Sequence, residues 1–139
     1  KVGEPNAWLW CWYKALASTN ERLLQSNGRD TKRHYTFGNY TKFVRPGYVR
    51  VDITGSIPTD VLLTAYKASD GTVVVVAINK GTASATVPIT ISGGTAPASL
   101  VPWVTSANDN LVSKPGVTVT GSAFSAALAS KTVTTFVGK

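Results

Sequence analysis

The chain has 139 residues, 43% of them apolar and only 15% charged, a balance that fits one folded, strand-rich domain and excludes a disordered polyelectrolyte. The single Cys11 rules out an internal disulfide, and the single His34 rules out a multi-histidine metal centre. The formal charge is +7, yet no apolar run approaches the roughly 20 residues of a membrane-spanning helix, and no nucleic-acid-binding motif accompanies the basic residues.

In chain order, the first element is Ala7–Tyr13, where Trp8, Trp10 and Trp12 stand two apart. Extended backbone would place these three indoles on one face and Leu9, Cys11 and Tyr13 on the other. Residues 15–34 are polar and read as loop or weak helix, with Asn27-Gly28 as a turn. Tyr35–Val44 carries Phe37, Tyr40, Phe43 and Val44 at helical spacing. Arg45-Pro46-Gly47 ends that helix, because the residue before Pro avoids the α region and Gly permits the turn.

From Tyr48 onward the texture changes. Tyr48–Ile53, Val61–Tyr66, Thr72–Asn79, Thr86–Ile91, Leu100–Thr105, Val117–Thr120, Phe124–Leu128 and Thr132–Val137 are short runs rich in Val, Ile, Thr and Tyr. Asp70-Gly71 reads as a type I′ hairpin signal. Asn79-Lys80-Gly81 and Ser92-Gly93-Gly94 are further breaks. Thr72–Asn79 is apolar through its middle and reads as a central strand, while the alternation of Thr132–Val137 reads as a half-buried strand. The fold class is mainly β: an antiparallel sandwich of about eight strands in residues 49–139. It follows a strand-loop-helix segment in residues 1–48. Such a lone strand and helix cannot bury two apolar faces by themselves, so residues 1–48 read as the last repeat of a larger α/β unit. The chain contains no Met, and the expectation is a processed chain or a piece of a longer one. The basic residues Arg29, Lys32, Arg33, Lys42, Arg45 and Arg50 are diluted among apolar ones. They read as a solvated face or a seam toward an acidic neighbour rather than a nucleic-acid footprint.

The stretches Ala7-Trp8-Leu9-Trp10-Cys11-Trp12-Tyr13 and Phe43-Val44-Arg45-Pro46-Gly47-Tyr48 are joined by Val74-Val75-Val76-Ala77-Ile78-Asn79-Lys80 and Ser130-Lys131-Thr132-Val133-Thr134-Thr135-Phe136-Val137. Together they resemble the C-terminal end of glycoside hydrolase family 30, most of all its bacterial xylanase branch. The resemblance covers almost the whole chain. It implies a (β/α)8 barrel fused to a side sandwich, cleaving xylan with retention through two glutamates on barrel strands four and seven. On this mapping Ala7–Tyr13 is the eighth barrel strand, Tyr35–Val44 lies in the eighth helix, and both catalytic strands lie upstream of Lys1. Retaining chemistry needs two carboxyl groups about 5–5.5 Å apart. No such pair of motifs is present, so no catalytic residue is expected here and the isolated chain is expected to be inactive.

Sugar rings present apolar C–H faces, and an indole offers a flat apolar surface with one donor. Trp10 and Trp12, nearest the rim that the mapping assigns to substrate, are the candidate sugar-binding residues, while Trp8 reads as core. Lys14 stands where the glucuronoxylan branch carries an arginine for the glucuronate carboxylate. A point charge replaces a bidentate fork there, so strict dependence on glucuronate is in doubt. Trp103 reads as a core residue. Asn39-Tyr40-Thr41 matches the N-glycosylation acceptor pattern but falls on the predicted helix and reads as incidental.

The leading expectation is therefore the C-terminal portion of a secreted xylanase that needs no cofactor or metal, and that braces its barrel. Its partners would be xylan and the rest of the parent barrel, with self-association through an open sheet edge or the Trp stripe. The alternative is a stand-alone xylan-binding sandwich module.

Overall fold

The structure, a computed structural model, describes residues 23–25 and 28–139. The helix α1 runs from Lys32 to Thr41. It starts three residues before the expected Tyr35 because Thr31 is extended and its hydroxyl accepts the His34 N–H at 3.4 Å. The N–H groups of Lys42 and Val44 still reach the Gly38 and Tyr40 carbonyls, so the chain stays coiled up to Val44 before Pro46. Gly47, at φ 90°, then turns it into the sheet.

Nine strands follow: β1 (Val49–Val51), β2 (Val61–Lys67), β3 (Val73–Asn79), β4 (Ala85–Thr90), β5 (Ser99–Thr105), β6 (Val112–Ser113), β7 (Val117–Thr118), β8 (Ala123–Leu128) and β9 (Thr132–Gly138). Seven of them form one antiparallel sheet in the order β1-β2-β3-β9-β5-β6, with β7 also paired to β5, while β4 and β8 form a second sheet of two strands. Val61, Ala65, Val73, Val75, Leu100 and Phe136 point from the large sheet toward Val87, Phe124, Ala126 and Leu128 of the small one. The large sheet's other face carries Val74, Val76 and Val133, covered by Tyr40, Phe43 and Val44 from α1 and the turn after it. The described chain thus has three layers: helix, large sheet, small sheet.

This arrangement explains why β3 is apolar without alternation: both of its faces are covered, as expected for a central strand. It also changes the reading of β9. The alternating pattern suggested a half-buried strand, but β9 lies between β3 and β5 and is buried on both faces from Thr132 to Phe136. Its threonines are interior residues, not a solvated face.

Two further details depart from expectation. The β2–β3 turn is not type I′, since Gly71 alone has positive φ while Asp70 does not. Ala68 accepts from Gly71 N–H and donates to the Thr72 carbonyl, which is a type I turn closed by a glycine bulge. Asp70 supports it by accepting the Thr72 N–H at 3.0 Å. The two-residue strand β6 was not foreseen, because two residues carry no period to read.

Candidate functional site

The interface between α1 and the large sheet concentrates the polar chemistry of the described residues. Asn39 is fully buried on the sheet-facing side of the helix. Its Nδ2 donates to the Trp103 carbonyl on β5 and to Thr135 Oγ1 on β9, both at 3.0 Å. Its Oδ1 accepts the Thr105 hydroxyl at 2.6 Å, and its backbone carbonyl accepts the Thr135 hydroxyl at 2.7 Å. Thr105 Oγ1 in turn accepts the Leu111 N–H at 3.2 Å. The apolar surroundings of this network make each of these bonds costly to lose. Asn39 therefore has no accessible amide for a glycan, and the Thr41 hydroxyl is turned back to the Phe37 carbonyl. The acceptor pattern is occluded in the fold.

Aromatic groups frame the same interface. Tyr40 shares a 3.0 Å hydrogen bond with Thr64 and meets Tyr66 edge-on, ring centres 6.5 Å apart. Trp103, expected in the core, instead lies half-buried on the large sheet's outer face, because strand alternation from the inward Leu100 points it outward. Phe43 packs against it at 5.3 Å, and the Lys42 ammonium sits 3.8 Å from its ring centre. With one face taken by a cation, Trp103 is no bare sugar platform. Lys32, Arg33 and Lys42 on α1 and at its end, Arg45 just after it, and Arg50 on β1 are exposed.

On the opposite side, the small sheet is too narrow to cover the large one. A cavity of about 220 Å³ opens beside β4, walled by Leu63 and Val75 of the large sheet, Val87 and Ile89 of β4, and Ile53 and Ile57 of the β1–β2 connection. Val49 next to it on β1 is 65% exposed. A second cleft of about 420 Å³ lies toward β5 and β6, with Ser106, Asp109, Lys114, Thr132 and Thr134 among its walls.

The described carboxylates that have partners face cations or hydroxyls. Asp70 pairs with Lys139 at 2.9 Å and Asp109 with Lys114 at 2.7 Å, and these lysines hold both carboxyls below the ordinary range. Asp30 accepts the Tyr35 hydroxyl at 3.1 Å, which raises the phenol above its usual value, and lies 3.6 Å from His34 Nδ1. His34 is an exposed helix residue. The sugar-binding candidates Trp10, Trp12 and Lys14, together with Trp8, Glu4 and Glu21, lie outside the described residues.

The comparisons with known proteins agree with this architecture. The sequence profile of the glycosyl hydrolase family 30 β-sandwich domain matches residues 47–136, from the turn after α1 into strand β9. The chain belongs to that family. A glucuronoxylanase XynC of Bacillus subtilis is 37% identical over 135 residues, covering 97% of this chain and 31% of its own length. A family 30 endoxylanase from Clostridium papyrosolvens superposes with a TM-score of 0.80 at 37% identity, over 88% of this chain and 31% of that protein. The family 30 subfamily 8 xylanase Xyn30A from Clostridium acetobutylicum gives 0.80 at 30% identity, over 87% and 31%. The chain thus spans about a third of the length of the relatives it matches.

Proposed function

We propose that this chain is the C-terminal portion of a secreted endo-β-1,4-xylanase, in which the sandwich braces the catalytic barrel and the last barrel repeat is contributed by residues 1–48. The observation that carries the reading is a match along nearly the whole chain to bacterial proteins named for action on xylan, confined to about a third of their length. The docked helix supports it: α1 covers the outer face of the large sheet, where a barrel's last helix would meet a side domain. The only glutamates are Glu4 and Glu21, and no pair of carboxylates at barrel-strand ends is recognisable in the sequence. Hydrolysis therefore belongs to the remainder of the parent. Trp10 and Trp12 would floor sugar subsites in its cleft, and Lys14 would meet a xylan side group as a point charge rather than a fork.

The cavity beside β4 is read as the seat of apolar side chains from the remainder of the parent, packed over β1 and β2 without pairing to the β4 edge. The test is reconstitution. The purified chain should release no reducing sugar from glucuronoxylan, and the separately expressed barrel portion should co-purify with it and regain hydrolysis. In that complex, Trp12→Ala should raise KM more than it lowers kcat. Sugar release by the chain alone after rigorous purification, or a barrel portion equally active without it, would sink the proposal.

A further inference from the structure

The apolar contacts between α1 and the large sheet do not by themselves fix where the helix sits. Phe37, Tyr40, Phe43 and Val44 recur at spacings of three and four, so a helix slid by one turn would again present large apolar groups to Val74, Val76 and Val133. Asn39 breaks that degeneracy. Its amide is matched donor for acceptor by Trp103 O, Thr135 Oγ1 and Thr105 Oγ1, on two neighbouring strands. A slide of one turn would bring Tyr35 or Phe43 to its place, and neither carries an NH2 group beside a carbonyl. Three groups, the Trp103 carbonyl and the Thr135 and Thr105 hydroxyls, would then each lose the amide as a partner. Gly38 adds close fit at the same level, since a Cβ there would stand 3.1 Å from Leu111 Cδ2.

We infer that Asn39 is the positioning residue that sets the pose of α1 on the sandwich, and through α1 the pose of the barrel repeat it ends. The second half rests on the proposed function above; the first half concerns this chain alone. Asn39 acts through geometry: non-directional contacts hold the helix down, while the amide selects one place for it.

The experiment is residue-resolved hydrogen exchange by NMR on the chain and on Asn39→Leu, which keeps the volume and removes the amide. Helix amides of Lys32–Thr41 should exchange about tenfold faster in the variant, a factor set by the net worth of a hydrogen bond. The β3 amides Val74–Ala77 should keep their rates. The Phe43–Trp103 cross-peaks should change from one set to several or broaden. A merely global loss of stability would speed helix and β3 amides alike and would overturn the inference, as would one unchanged set of Phe43–Trp103 cross-peaks. If Asn39→Leu does not fold, Thr105→Val decides by the same two criteria, because it leaves the Asn39 amide in place and removes the hydroxyl bound to its Oδ1, together with that hydroxyl's bonds to the Tyr35 carbonyl and the Leu111 N–H. None of these readouts involves xylan, so a failed reconstitution strikes the proposed function and leaves this inference standing.

Discussion

Asn79 sits where the chain twice passes between the sheets, once after β3 and once before β9. Its side-chain N–H groups reach the carbonyls of Ala83, Leu128 and Ala129, and its Oδ1 accepts the Gly81 N–H at 2.9 Å. One buried amide thus ties both crossings. Asn79→Ala should lower stability by about 2–3 kcal/mol in urea unfolding, because several backbone groups lose a partner at once. A loss within about 0.5 kcal/mol would show that water replaces the amide there. In the sequence Asn79 is legible only as a break after an apolar run, and Asn39 only as a chance glycosylation pattern. Nothing local distinguishes a solvated Asn from one whose partners lie up to 96 residues away.

At the level of elements, the two sheets differ in how they protect their edges and cores. Val76 on β3 is fully buried under the helix, whereas Val49 on β1 is mostly exposed. Val76→Ala should cost about 2 kcal/mol, from two lost methyl groups and the cavity left behind. Val49→Ala should stay within about 0.5 kcal/mol, and equal costs by chemical denaturation would contradict the layer assignment. The outer edge of β4, unpaired among the described residues, carries a different device. Ile91 donates to the Ser122 carbonyl, so by antiparallel alternation Pro88, opposite Ser125, faces its backbone away from β8. A missing N–H on that edge interrupts strand addition by other copies. Pro88→Thr should restore the donor and raise self-association in sedimentation velocity at high protein concentration. If its sedimentation matches wild type across the concentration series, the edge is protected by something else.

For the molecule as a whole, the resolved ionisation shifts lie on the surface. Asp70 and Asp109 are held below their unfolded values by Lys139 and Lys114. Their stabilisation is present above the unfolded carboxyl value near pH 4 and is lost as pH falls through the folded values. Lys139 is raised by Asp70, so its share is present below its unfolded value and disappears as pH rises through the folded one. The urea midpoint should therefore fall on the acid side of about pH 4, with a shallower fall in 1 M salt because these pairs are exposed. The double variant Asp70→Asn/Asp109→Asn should flatten that acid limb. An unchanged limb would place the acid sensitivity elsewhere.

The sequence by itself determined the family, the mainly β class, the helix before the sandwich and the central position of β3. Each is written in local periods, turn residues or contiguous motifs such as Phe43–Tyr48. Tertiary structure decided what depends on distant partners: that β9 is interior although it alternates, that Trp103 faces outward, and that Asn39 and Asn79 are buried anchors. It also decided that, among the described residues, the small sheet has two strands and leaves a cavity beside β4. Strand pairing joins residues far apart in the chain, and a side chain's burial is set by whichever layer covers its face. Local pattern fixes which way a residue points relative to its neighbours along the strand, and only the packed layers determine what it points at.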